Sequence, residues 1–296
     1  MQNDNIRAAL YMMAGSSAFA ANDTFLKLLG SELGMFQILV LRGIIVSAVF
    51  GLMVWHARVV FADLTRTDRY FLLVRSAAEA FAAFFFIKAL FNMPLANVTA
   101  ILQVVPLAVA LAAYIVLKEP LGWRRLSAIL IGFAGVMLIV QPGTGAFTVA
   151  SVNALACVAM VTLRDLSTRM MAVKVPSSLV ALTTALGVML FGVVGSAFES
   201  WVMPSRIAWL WLGGTVVFSC FGYYLIILAM RVGEMSFAAP FRYASLLAAL
   251  LLGWFVLGEW PDNLTLAGSA VVVATGVFAL YRERQVQMQI RAAQTG

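Results

Sequence analysis

Long apolar runs, parted by single charges or by turn-forming residues, fill this chain from one end to the other. The longest uncharged stretch runs 38 residues, from Leu126 to Leu163. A membrane-spanning helix needs about 20 apolar residues, so this stretch exceeds one span. It breaks at Gln141-Pro142-Gly143-Thr144-Gly145, a cluster of turn-forming residues. Hydrophobic residues make up 63% of the 296 and charged ones 11%. A soluble domain is about half apolar and about a quarter charged. The contrast excludes a disordered chain, an ordinary soluble enzyme and a disulfide-stapled module. Cys157 and Cys220 both sit in apolar segments, without metal-ligand spacing, and read as small core residues. The first apolar run lacks a strongly basic flank and a small-residue cleavage site, so it reads as a retained helix.

The runs predict an all-α integral membrane protein with ten spans, at 8–28, 35–56, 69–91, 96–117, 123–140, 147–168, 177–198, 206–230, 236–257 and 264–282. The net charge is +7 and the pI about 9.8. The basic residues are scattered singly, too thinly for a nucleic-acid partner, and act as orientation signals. With a cytoplasmic N-terminus, 13 lie on the inner side: Arg7, Arg58, Arg66, Arg69, Lys118, Arg124, Arg125, Arg169, Lys174, Arg231, Arg282, Arg284 and Arg291. Three (Lys27, Lys88 and Arg206) lie outside, and Arg42, Arg75, Arg164 and Arg242 lie within spans. This bias predicts cytoplasmic termini in the inner membrane and an external Gln141–Gly145 turn. Trp55, Trp123, Trp201 and Trp260 fall near the predicted interfaces, as an aromatic belt would.

The chain also repeats itself. A shift of 140 residues brings Leu107-Ala108 onto Leu247-Ala248, Leu111 onto Leu251, Tyr114 onto Trp254, Val116-Leu117 onto Val256-Leu257 and Glu119 onto Glu259. One residue more aligns Gly135-Val136 with Gly276-Val277, and a shift of 142 brings Asp23 and Lys27 onto Asp165 and Arg169. The halves are 1–143 and 144–296. Five spans per half is an odd number, so the second half is expected to insert upside down. Such inverted repeats allow a site to open alternately to each side.

Particular residues sharpen the pattern. The first half has Ala89-Leu90, Pro106, Lys118-Glu119-Pro120-Leu121 and Ile131-Gly132-Phe133-Ala134-Gly135-Val136; the second has Ala229-Met230, Gly258-Glu259 and Ala274-Thr275-Gly276-Val277. This resembles the ten-helix drug/metabolite transporter superfamily with two EamA-type repeats. The resemblance implies two inverted five-helix repeats around a central cavity lined by helices 1, 3, 4, 6, 8 and 9. It implies transport of small metabolites, with amino-acid exporters a prominent branch. Trp260-Pro261-Asp262-Asn263 departs from the usual short link.

The chain offers no catalytic motif, and its one histidine, His56, has no partner for a zinc site. No metal or cofactor is expected; the partners are a small-molecule substrate and the lipid bilayer, and the sequence is compatible with a monomer. Charges within spans are costly, about 3 kcal/mol each at the bilayer centre on insertion scales. Glu79 lies near the middle of the third span with Arg75 one turn before it. It reads either as a proton or substrate-ammonium site tuned by Arg75, or as half of a structural pair. Asn97 and Gln103, with Pro106 beyond them, read as substrate contacts on a bent fourth helix or as interhelical glue. Tyr243 is the repeat partner of Gln103, and Arg242 beside it reads as a carboxylate ligand or as a snorkelling side chain. Tyr223 and Tyr224 point to different faces, so at most one of them lines a cavity. A site with Glu79 for the ammonium, Arg242 for the carboxylate and Tyr223 and Tyr243 around the side chain would suit aromatic or large apolar amino acids. Asp23/Lys27 and Asp165/Arg169 read as ion pairs or gates. Gly43, Ser47 and Gly51, like Ser245, Ala249 and Gly253, form small-residue stripes that let helices approach.

Overall fold

The computed structural model describes residues 2–56, 64–119, 122–144, 147–172, 175–232 and 235–295. Arg58, Pro120, Leu121, Gly145 and Lys174, and the side chains of Arg284 and Arg291, lie outside that description. The described chain is helical: α1 (Gln2–Leu29), α2 (Met35–His56), α3 (Arg66–Asn92), α4 (Leu95–Leu102), α5 (Val105–Val116), α6 (Trp123–Val140), α7 (Val149–Met170), α8 (Ser177–Gly195), α9 (Arg206–Val232), α10 (Met235–Ala238), α11 (Ala244–Leu257) and α12 (Asn263–Thr295). Short 3-10 segments cover Ser196–Phe198 and Ala239–Tyr243. The protein is an all-α membrane protein. Nine helical stretches among the described residues are long and apolar enough to cross a bilayer. The first expected span is a 28-residue helix, α1, long enough at about 1.5 Å per residue. Asp4 and Arg7 near its start, and Asn22, Asp23 and Lys27 near its end, leave it more polar than the other nine.

The chain forms two compact units, each drawing on both sequence halves. The first is Met1–Thr24, Met93–Ser151 and Val217–Gly296; the second is Phe25–Asn92 and Val152–Val216. In the first unit α6 and α12 run antiparallel and touch backbone to backbone at Gly135 and Gly268. A Cβ on Gly268 would lie 2.5 Å from the Gly135 carbonyl oxygen. α1 crosses α9 in the same way at Gly15 and Gly222, each of whose Cβ positions is 3.0 Å from the other's carbonyl oxygen. Close approach of this kind supplies dispersion where lipid leaves no hydrophobic drive between helices. Ala8, Met12, Ala229 and Ala238 bury together beside the crossing.

In the second unit α2 packs antiparallel on α8. Gly43 faces Met189, Gly192 faces Leu39 and Val40, and Gly195 receives the ring of Phe36. Gly51 is looser, 3.9 Å from Leu182, so the predicted stripe is tight at only part of its length. Phe36, Phe81, Phe84 and Phe191 cluster with ring centroids 5.4–6.1 Å apart. The start of α2 is held by Glu199, whose Oε2 accepts the Phe36 and Gln37 N–H groups at 2.9 and 3.0 Å. That carboxylate lies where a Cβ on Gly34 would be.

The repeat is visible in the backbone. Lys118 and Gly258, 140 residues apart, both take the left-handed conformation, with φ of 54° and 67°. The next N–H groups close the helix ends, Glu119 to the Ala113 carbonyl at 3.4 Å and Glu259 to that of Gly253 at 2.8 Å. These six-residue closures satisfy carbonyls that a helix end leaves open. The Glu259 side chain then accepts the Leu95 N–H at 3.0 Å and caps α4. A glutamate at this position in the second half thus holds a helix of the first. In the divergent link, Asp262 caps α12 through the Thr265 N–H at 2.8 Å and accepts a 2.6 Å bond from the Gln141 amide at the end of α6. Bonds from Thr265 and then Gln141 hold its carboxyl below the usual 3.8. Because a side chain in the left-handed region costs about 1 kcal/mol, Lys118→Gly should stabilise the purified protein by that amount and Gly258→Ala destabilise it similarly. Unfolding in detergent measures both; a loss of stability in Lys118→Gly would contradict this account of the helix end.

Candidate functional site

Two helices of the first unit are interrupted, and the interruptions fall at repeat-equivalent places. α4 ends at Leu102 and α5 begins at Val105. Pro106 has no N–H for the Leu102 carbonyl, so the ladder restarts from Val104, whose carbonyl receives Leu107 and Ala108 at 2.9 and 3.0 Å. Gln103 closes α4 at this break. In the second half the break is the 3-10 segment Ala239–Tyr243 containing Pro240, between α10 and α11. Gln103 and Tyr243, 140 residues apart, sit at the two breaks.

The breaks are bonded to each other. The Gln103 Nε2 donates to Ser245 Oγ at 2.9 Å, and Ser245 Oγ donates to the Arg242 carbonyl at 3.0 Å. Gln103 is 6% exposed and Tyr243 5%. The Tyr243 hydroxyl is buried without a hydrogen-bond partner and sits against Gly276, where a Cβ would overlap it. This explains the glycine of the second Gly-Val pair. Asn97, further up α4, donates from Nδ2 to Thr265 Oγ1 at 3.2 Å, and its Oδ1 is buried without a partner. Such orphans cost about 1–3 kcal/mol each and call for a ligand or water. Arg242 is exposed beside the break. Tyr223, 56% exposed, stands edge-on to Phe19 at 4.9 Å, and Tyr224 is 61% exposed.

The second unit holds a charged cluster. Arg164 of α7 donates from Nη1 to Glu79 Oε2 and from Nε to Asp165 Oδ1, both at 2.8 Å. Arg164 and Glu79 side chains are each 27% exposed. Arg75 donates from Nη1 to Thr168 Oγ1 at 3.1 Å, one turn along α7. The expected neighbour of Glu79 was Arg75 on its own helix; the structure adds Arg164 from another. A counterpart without the guanidinium lies in the first unit, where Ser219 Oγ donates to Asn22 Oδ1 and Asn22 Nδ2 to Asp23 Oδ1, both at 2.8 Å.

The expected residues therefore divide. Asn97, Gln103, Tyr223, Arg242, Tyr243 and Asp23 lie in the first unit, and Arg75, Glu79, Lys27, Asp165 and Arg169 in the second. Gln103, Arg242 and Tyr243 come together at the breaks, and Glu79 joins Asp165 through Arg164. Sequence reasoning gave no site role to Arg164, Ser245, Thr265, Asn22 or Ser219. For Arg164 and Asn22 a signal existed, since they align at a shift of 142, each directly before a matched aspartate.

The EamA-like transporter family model matches the chain twice, over residues 6–141 and 148–282. The S-adenosylmethionine uptake transporter of Rickettsia prowazekii (strain Madrid E) is 23% identical over 89% of each chain. The riboflavin transporter of Vibrio cholerae (serotype O1) is 28% identical over 64% of this chain and 63% of its own. The pseudopaline exporter of Pseudomonas aeruginosa (strain PAO1) is 24% identical, covering 93% and 96%. A solved crystal structure of a protein superposes on 94% of this chain and 98% of its own with a TM-score of 0.60 at 20% identity, a likeness of fold.

Proposed function

Since the chain belongs to the EamA-like transporter family, we propose that it is a secondary transporter exporting amino acids, or metabolites that carry an amino-acid group, by alternating access between two inverted repeats. One observation carries the reading: two interrupted helices, broken at repeat-equivalent positions and joined by the Gln103–Ser245 bond. Interrupted helices expose backbone groups and polar side chains where a transporter needs substrate contacts. The orphaned Asn97 Oδ1 and Tyr243 hydroxyl would receive substrate donors or acceptors, and Arg242 a carboxylate. The relatives' names bracket the chemistry: S-adenosylmethionine bears an amino-acid group, and riboflavin a large ring system. Their names include both uptake and export, so a broader metabolite range is the second reading.

Reconstituted vesicles loaded with labelled methionine, tyrosine, S-adenosylmethionine or riboflavin test it by exchange. Arg242→Gln should abolish transport of probes with a carboxylate, and Arg242→Lys weaken it by losing the planar fork. Tyr243→Phe should raise stability by about 1 kcal/mol by removing an unpaired buried hydroxyl, yet slow transport about tenfold. Unchanged transport in both Arg242→Gln and Tyr243→Phe would remove the breaks from the substrate path.

The proposed topology has ten spans in the inner membrane, with both termini cytoplasmic and the turn after α6 outside. Gly143 has φ of 85°, so its exposed neighbour Pro142 is the better labelling position. Pro142→Cys, in a background with Cys157 and Cys220 replaced, should react with an impermeant thiol reagent on intact cells. Reaction only after the cells are opened would invert the topology.

A further inference from the structure

Two polar crossings in this protein share one bonding pattern but differ in charge. In each, a helix residue reaches across to another helix and also bonds the aspartate that follows it. Asn22 bridges Ser219 and Asp23 in the first unit; Arg164 bridges Glu79 and Asp165 in the second. All four bonds measure 2.8 Å. The crossings are also repeat equivalents. The two family matches are offset by 142 residues at their starts, which places Asn22 on Arg164 and Asp23 on Asp165. The offset of 140 that aligns Ala89 with Ala229 places Glu79 on Ser219.

This pairing decides what the charges are for. The bond that bridges the helices at this crossing need not be an ion pair, because the equivalent bond runs between a serine and an asparagine. Neutral bonds of that kind contribute on average about 0.6 kcal/mol, whereas a charge at the bilayer centre costs about 3 kcal/mol to insert. The aspartate is common to both crossings, so it is not the distinguishing group. What the second crossing adds is a guanidinium and a carboxylate that can separate. We infer that Glu79 is the proton-coupling site of the transport cycle, with Arg164 shared between Glu79 and Asp165 so that Asp165 retains it when Glu79 takes up a proton. The inference rests on the transporter reading above.

The exchange is balanced. A proton from water adds to the Glu79 carboxylate, giving a neutral acid, and its release restores the ion pair. Arg164 stays charged throughout, since its Nε bond to Asp165 is already made. The elements packed around Glu79 bring these other charges. α7 carries Arg164, Asp165 and Arg169, and α3 itself carries Arg75 one turn away, bonded to Thr168, with Arg66, Asp68, Arg69 and Lys88 further along. α8 has no charged residue from Ser177 to Gly195, and α2 has Arg42 and His56.

The test exchanges one crossing for the other. Arg164→Asn combined with Glu79→Ser gives the second unit the pair that the first already uses. In infrared titration of the purified protein in lipid, the difference between parent and double variant, in which the twelve shared acidic side chains cancel, should show a protonated-carboxyl band that grows in over the pH range where transport depends on the gradient. Glu79→Asp should keep a band with a shifted midpoint. In vesicles, transport of labelled methionine (or S-adenosylmethionine or riboflavin, if methionine is not carried) should be faster with a pH gradient than without one. The double variant should bring that ratio to unity. A difference spectrum without that band, or a double variant that keeps the parent's ratio, overturns the inference, as does a parent that exchanges a probe with no gradient dependence. Should the double variant fail to assemble, Glu79→Asp decides, and an unmoved midpoint overturns the inference. A parent that exchanges none of the probes defeats the transporter reading instead, while the infrared titration still reports whether Glu79 binds a proton.

Discussion

Arg164→Met should destabilise the protein by about 3 kcal/mol, the low end for breaking a buried ion pair, because each partner keeps some exposure. Its guanidinium is shared by Glu79 and Asp165, so removing it leaves two carboxylates facing each other's field. Glu79→Gln should cost clearly less, since Arg164 retains Asp165. Arg164→Met with Glu79→Met should recover most of the loss, as replacing both partners removes the uncompensated charge. Unfolding of the four proteins in detergent gives the order. Equal losses for Arg164→Met and Glu79→Gln would mean that Asp165 does not share the arginine.

Gly268→Ala should be at least as damaging as a poor core substitution, about 3 kcal/mol, although it adds one methyl group. The new Cβ would lie 2.5 Å from the Gly135 carbonyl oxygen and 2.7 Å from Ile139 Cγ1. A flexible side chain can give way; the Gly135 backbone belongs to α6 and cannot move without separating two helices along their length. Gly213→Ala is the control. Nothing lies within 4 Å of its Cβ position inside α9, so it should stabilise by about 0.5–1 kcal/mol. If the two alanine variants unfold alike, α6 and α12 do not meet at Gly135 and Gly268.

Much of this was readable along the chain. The second and fifth spans were expected at 35–56 and 123–140, where α2 and α6 lie. Their ends are marked by local signals: Gly34 and His56, Trp123 and the Gln141-Pro142-Gly143 turn. The interruption at Gln103 was legible from Pro106, whose missing donor acts within one turn. The matching interruption at Tyr243 was not, and the ninth span was expected as one helix from 236 to 257. Ala239-Pro240-Phe241-Arg242-Tyr243 is apolar enough to pass for helix, and a 3-10 segment leaves no periodicity of its own.

The site was legible as a set of residue types and illegible as a set of partners. Glu79 was conspicuous because a carboxylate in a run of alanine and phenylalanine is expensive wherever it sits. Arg164 was equally expensive, yet its partner lies 85 residues away on another helix. Only Arg75, an i−4 neighbour, was visible from Glu79 along the chain. By itself, then, the sequence determined the membrane class, most span boundaries, the internal repeat and the first helix break. Each follows from hydropathy or backbone chemistry within a few turns, or from comparing the chain with itself. The tertiary structure decided which polar groups bond across helices: Glu79 with Arg164, Asn22 with Ser219, Gln103 with Ser245 and Glu259 with the start of α4. Those pairings depend on the rotation and depth of each helix against its neighbour, which close contacts such as Gly135 on Gly268 set and no local stretch of sequence encodes.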